Sequence, residues 1–239
     1  MGKILKDIFG RALIHYFDKG KAEDLVYKNS LGECSVFEYQ WLFRSYESMP
    51  QIEKIALREC RGKILDVGAG AGNHSLFLQN LGLEVTAIDQ SEGATEVCKK
   101  RGLIKVEHLD IWKKKEGKYD TILCLMNGIG ICGKRIFIDK FLLKLKALLG
   151  KNGAILIDSC DILYMFEKKD GTHDLPENQD YYGEVQFEFN YAGNRGPKFD
   201  WVYVDEGTLK HHTNKLKLNC EILYRDEQGA FLAKISIKP

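Results

Sequence analysis

The chain predicts an α/β domain built on a mostly parallel, doubly wound sheet with helices on both faces. Three observations carry this reading. Between about residues 61 and 160, short apolar runs alternate with amphipathic ones, and strands apolar on both sides belong to parallel sheets covered by helices. One run ends in the glycines Gly68, Gly70 and Gly72, at a corner where such sheets bind ligands. Beyond residue 182, Val185, Phe187, Phe189 and Tyr191 alternate with Glu184, Gln186, Glu188 and Asn190, the pattern of a half-buried antiparallel strand.

Taken in order, the first 60 residues read as helical over Ile8 to Phe17 and Ile52 to Arg61, and as irregular elsewhere. Lys63 to Val67 is a strand, and residues 73 to 81 form a helix that Gly82 stops. Glu84 to Ile88 is the next strand. Ser91 caps a helix ending at Lys99, Lys100 and Gly102, where lysines complement the helix dipole. Val106 to His108 and Thr121 to Leu125 are further strands. Phe137, Phe141, Leu142, Leu145 and Leu149 recur at helical spacing before Gly150, and Ala154 to Asp158 closes the alternation. A turn at 194–197, a strand carrying Phe199, Trp201 and Tyr203, and a polar helix at about 207–216 follow. The runs 220–225 and 231–237 make a terminal hairpin.

At 239 residues the chain suits one domain (61–239) with an N-terminal attachment (1–60). A formal net charge of +1 gives no basic excess for gripping nucleic acid. The seven cysteines contain no C-x-x-C pair, so neither a zinc site nor a redox dithiol is indicated, and they read as thiols in a reducing cytosol. No apolar run approaches the ~20 residues that cross a bilayer. Residues 1–6 lack a signal-peptide core and place Lys6 where a myristoylation pattern wants Ser or Thr. The expected location is cytoplasmic.

The chemistry concentrates in Asp66-Val67-Gly68-Ala69-Gly70-Ala71-Gly72-Asn73. Glycines at a strand-to-helix corner let a ligand approach the backbone and the free N–H groups of the helix start. A dinucleotide loop needs glycine where Asn73 stands, and no Lys-Ser/Thr follows to make a Walker cradle. Asp66 would repel a pyrophosphate and attract an ammonium. Asp89 lies 21 residues beyond Gly68, the place from which an acid bonds ribose hydroxyls. Asp110 follows the third strand, where it can accept from an adenine amino group while Ile111 flanks the ring. Read singly, Asp66 could cap a turn and Asp89 could begin a helix. Together, an ammonium, a ribose and an adenine without phosphates describe S-adenosylmethionine.

At these residues the sequence resembles the class I S-adenosylmethionine-dependent methyltransferases, over roughly 60–160 and weakly at the terminal hairpin. The resemblance implies a Rossmann-like, mostly parallel seven-stranded sheet with an antiparallel last strand; the alternating residues at about 183–204 lie outside that core and read as a small antiparallel β insertion. It places Gly68 and Gly70, with Gly72 completing the loop, against the methionine moiety and Asp66 near its amino group. Asp89 would take the ribose, Gln90 would lie beside the adenine, and Asp110 and Ile111 would hold the adenine edge and face. Met126 and Asn127 would lie closest to the sulfur. The run Asp7 to Leu13 resembles that of some small bacterial methyltransferases of unassigned substrate.

The expected activity is methyl transfer to a small organic acceptor through oxygen or nitrogen. The alternatives are an RNA or protein acceptor and a noncatalytic nucleoside-binding module. No general base and no metal site is identifiable. His74 reads as a packing or capping group, and Asp158 and Ser159 as acceptor-side residues or helix caps. Lys113 to Lys115 reads as a solvated loop. Residues 1–60, with Tyr39, Trp41, Phe43, Arg44 and Tyr46 close together, are expected to form a lid. Arg44 would bind the cofactor's carboxylate, or else pair with Glu47.

Overall fold

The computed structural model describes residues 7–176 and 180–238; residues 1–6, read above for a leader and for myristoylation, lie outside them. Helix α1 (Ile8–Lys19) is followed by strands β1 (Val26–Asn29) and β2 (Cys34–Val36), α2 (Gln40–Phe43) and α3 (Gln51–Glu59). The alternating core comprises β3 (Lys63–Val67), α4 (Asn73–Asn80), β4 (Glu84–Asp89), α5 (Glu92–Lys100), β5 (Lys105–His108), β6 (Tyr119–Cys124), α6 (Ile138–Leu148) and β7 (Leu149–Cys160). Then come β8 (Glu184–Tyr191), β9 (Asn194–Arg195), β10 (Phe199–Val202), α7 (Glu206–Lys215), β11 (Leu218–Arg225) and β12 (Ala230–Ile237).

Seven strands form the main sheet in the order β11-β12-β7-β6-β3-β4-β5. β5, β4, β3, β6 and β7 pair in parallel, and β12 joins β7 antiparallel. Both faces are covered, as near-continuous apolar strands require. On one side α6 and α7 bring Ile138, Phe141, Leu142, Leu145 and Leu209 against Ile122, Ile155 and Ile157. On the other, α3 and α4 bring Ala56, Leu57 and Leu78 against Ile64, Leu123 and Leu156. Ser91 accepts from the Ala94 N–H as the expected helix cap.

The N-terminal stretch is not only helical. β1 and β2 join the insertion to give a second, antiparallel sheet in the order β10-β8-β1-β2, with β9 on β8. The signal was an Asn29-Ser30-Leu31-Gly32 turn between two short runs. Neither run shows the alternation that made β8 legible. The turn read at 194–197 likewise begins with two residues bonded to β8.

Helix α1 docks on α5 through two glycines. A Cβ on Gly93 would lie 2.5 Å from the backbone carbon and oxygen of Gly10. Asp7 seals the crossing: it accepts from the Gly10 and Gly93 amides at 2.9 and 3.0 Å and from the Ser91 hydroxyl at 2.8 Å. This accounts for the Asp7 to Leu13 run, which puts Ile8, Ala12 and Leu13 into the interface. Gly93→Ala is expected to cost about 1–3 kcal/mol, because backbone cannot yield as a side chain can. It should also weaken cofactor affinity, since Ser91 adjoins Asp89. Thermal unfolding and calorimetry with S-adenosylhomocysteine check this; unchanged values would mean that α1 docks elsewhere.

Candidate active site

The glycine corner and the tip of β4 form one hydrogen-bonded unit. Gly68 and Ala69 donate to the Ile88 carbonyl at 2.9 and 3.1 Å. Gly70 donates to Asp89 Oδ2 at 2.9 Å, and Ser91 donates to Oδ1 at 2.8 Å. Gly68, Gly70 and Gly72 have φ of +74°, +56° and +81°, left-handed values that favour glycine. The backbone at Gly68 is exposed, and a Cβ there would meet only Ile131 within 4 Å. Gly72 faces inward instead, where a Cβ would strike Leu103 at 2.6 Å. It is a packing residue of the loop.

Asp89 is part-exposed. Each of its oxygens has one backbone donor, so each keeps a lone pair for a further donor. Burial pushes its carboxyl up to about 6, against the pull of the Ser91 and Gly70 amides. The Leu109 amide donates to the Asp89 carbonyl, which draws the Asp110 segment alongside. Asp110 Oδ1 accepts from the Trp112 amide at 2.9 Å, leaving Oδ2 unused. Ile111 is 3% exposed and packs in the core, while Gln90 is exposed and its carbonyl meets His108.

Asp66 lies beneath the corner, buried, and accepts from the Ser75 hydroxyl at 2.6 Å. Burial raises its carboxyl, opposed by the charge on His74. His74 is part of a buried cluster that sequence reading missed: its Nε2 meets Glu53 Oε2 at 2.8 Å. Burial disfavours the His74 imidazolium, but the Glu53 hydrogen bond and the Asp66 charge outweigh it and the net shift is upward.

The other oxygen of Glu53 pairs with Arg44, so the acid that meets Arg44 is Glu53 and not Glu47. The reason is the lower cost of a buried ion pair when each charge has a counter-charge. Arg44 Nε and Arg11 Nη1 are buried nitrogens with no hydrogen-bond partner among the described residues.

Met126 and Asn127 follow β6 with φ of +63° and +59°, both left-handed without being glycine. Such residues cost about 1–3 kcal/mol each and persist only when their surroundings enforce them. Asp158, at the end of β7 and 7% exposed, supplies the enforcement. Its Oδ2 accepts from the Met126 amide at 3.1 Å and its Oδ1 from the Gly128 amide at 2.8 Å. Ser159 Oγ donates to Asn127 Oδ1 at 3.1 Å and accepts from the Val204 amide at 2.8 Å. Asp158 therefore holds a loop rather than capping a helix. Burial pushes its carboxyl up to about 6.

The donor set suits a nucleoside bearing an amino acid. An exposed glycine backbone, a carboxylate with two free lone pairs and a second carboxylate at the next strand end match its parts. The class is thus an α/β enzyme with a nucleoside site at the strand ends. A methyltransferase-domain family profile matches residues 64–153. A crystal structure of an S-adenosylmethionine-dependent methyltransferase from Bacteroides fragilis, in complex with S-adenosyl-L-homocysteine, is 36% identical with a TM-score of 0.92; the alignment covers 98% of this chain and 96% of that one.

An uncharacterized methyltransferase of Staphylococcus carnosus is 24% identical over 218 residues, 83% of this chain and 88% of its own. The CcbJ methyltransferase of Streptomyces caelestis shares the fold alone, at 13% identity and a TM-score of 0.62, over 81% of this chain and 95% of its own. The chain belongs to the class I S-adenosylmethionine-dependent methyltransferases, and S-adenosylmethionine is its cofactor. Among the described residues no helix is long and apolar enough to cross a membrane.

Proposed function

We propose that the protein transfers a methyl group to a small organic acceptor through an oxygen or nitrogen nucleophile, held between the second sheet and the ends of β6 and β7. One observation carries this: Trp201 of β10 fills the space that a Cβ on Gly130, just beyond β6, would occupy. The aromatic face of the second sheet thereby lies against the loop after Met126 and Asn127. A wall of half-buried rings beside the strand ends suits a small molecule rather than a polyanion.

S-adenosylmethionine supplies a methyl carbon made electrophilic by its sulfonium charge. Aligning the nucleophile with that carbon can supply about 7–11 kcal/mol of the barrier. Gly68, Gly70, Asp89 and Asp110 would hold the nucleoside, and Met126 and Asn127 would flank the reacting centre. Arg44 and Arg11, each with a buried nitrogen unpartnered among the described residues, are the candidates for the cofactor's carboxylate. Residues 1–60 act as a cover in this reading: Leu42 lies 3.4 Å from the position of a Gly70 Cβ, and Met126 packs in the same cluster.

Turnover to S-adenosylhomocysteine with a metabolite fraction, compared with total RNA and denatured protein, tests the proposal. Methylation of small molecules is expected. Label transferred only to RNA or protein would overturn it.

A further inference from the structure

The second sheet presents two faces of opposite character. Antiparallel partners share a face, so the pairs Phe199↔Phe187, Trp201↔Val185 and Tyr27↔Phe189 put these side chains together. Asn29 pairs with Phe187, and across the β1–β2 turn the Asn29 amide donates to the Glu33 carbonyl while the Glu33 amide donates to Asn29 Oδ1, which brings Glu33 onto the same face. Ring centroids lie 5.9 Å apart for Phe187–Phe199 and 6.3 Å for Phe199–Trp201. The opposite face carries Lys28, Glu184, Gln186, Glu188 and Asp200.

Glu33 is the one charged side chain on the aromatic face among the described residues of this sheet. It accepts from the Tyr27 hydroxyl at 2.5 Å and from Asn29 Nδ2 at 3.0 Å, both neutral donors, and forms no ion pair among the described residues. Its charge reaches across to two tyrosines. Tyr203 is pushed up to about 12, chiefly by burial and next by Glu33, and Tyr164 is raised by burial, then by Cys160 and Glu33.

Cations near this face stand at its far end. There α1 covers it, with the Phe9 ring tilted against Phe189 at 5.6 Å, His15 bonded to Tyr191 and Arg11 near Tyr191. The end towards Trp201 and the strand ends therefore combines rings with an uncompensated negative charge. Rings present negative π-faces, which attract cations as the carboxylate does.

Resting on the small-acceptor reading above, we infer that the acceptor carries an aromatic or apolar body and an ammonium group, with the body against Phe187, Phe199 and Trp201 and the ammonium at Glu33 and Tyr27. An anionic acceptor would lose its hydration to meet a like charge, and the same face rejects it.

Three probes with the same three-carbon chain separate the possibilities: 3-phenylpropan-1-amine, 3-phenylpropan-1-ol and 3-phenylpropionate, titrated calorimetrically into protein saturated with S-adenosylhomocysteine. The amine is expected to bind at least about tenfold tighter than the carboxylate, as one charge-assisted bond allows. Glu33→Gln should remove that advantage without changing S-adenosylhomocysteine affinity, and Glu33→Lys should reverse it. Equal or tighter binding of the carboxylate overturns the inference. So does an equal loss of amine and alcohol binding in Glu33→Gln. Binding of the alcohol but not the amine overturns it while leaving the small-acceptor reading intact. Failure of all three probes, with S-adenosylhomocysteine bound, counts against both. The wild-type comparison decides the matter even if a variant does not fold.

Discussion

Asp89→Ala is expected to weaken S-adenosylhomocysteine binding by about tenfold or more, because two charge-assisted bonds to ribose hydroxyls are worth about 1.5–3 kcal/mol each. Asp89 also ties Gly70 to Ser91, so the variant should lose some thermal stability as well. Asp89→Asn keeps an acceptor at the site and separates charge from shape.

The pH dependence gives a second check. The carboxyl is pushed up to about 6, and the ionised form is the one that accepts from both hydroxyls. Affinity should therefore fall as pH drops through about 6 in the wild type, and remain flatter in Asp89→Asn. Stability of the free protein runs the other way. A carboxyl raised above its unfolded value of 3.8 contributes most when protonated, and that contribution is lost as pH rises through about 6. Calorimetry at pH 5 to 8 reads the first effect, and urea titration of the two proteins reads the second. An unchanged affinity in a folded Asp89→Ala would reduce Asp89 to a loop anchor.

Asp158→Ala is expected to lower kcat by about 100-fold, the order that a displacement near 1 Å costs at a reacting centre. The variant removes the acceptor for two amides and leaves the Gly128 N–H buried and unpaired, at about 1–3 kcal/mol. It also frees the left-handed pair at Met126 and Asn127 to relax. The effect should fall mainly on kcat, with the KM for S-adenosylmethionine changing less, since the glycine corner and Asp89 are untouched. Asp158→Asn, which keeps one acceptor oxygen, should recover part of the loss. A variant with normal kcat would show that the loop holds its conformation without this carboxylate.

The sequence by itself determined the parallel core and the glycine corner that ends its first strand, because both are encoded locally. Continuous apolar runs mark buried strands, Gly82 and Ser91 punctuate helices, and a fixed geometry sets the 21-residue step from Gly68 to Asp89. The alternation from Val185 to Tyr191 likewise announced an antiparallel strand.

Only the tertiary structure could decide what joins residues without a spacing rule. Asp7 meets Ser91 and Gly93, which lie 84 and 86 positions away, and the two glycines matter because two helices cross there. Glu53 lies buried between Arg44 and His74, 9 and 21 positions away, a grouping that no spacing rule announces. β1 and β2 are too short to show a period; β1 gains its strand character from pairing with β8, and β2 from pairing with β1. Asp158 bonds a loop 30 and 32 residues upstream because parallel neighbours end side by side. A periodic pattern reports which side of an element faces the core. Which partner it meets there depends on the three-dimensional path of the whole chain.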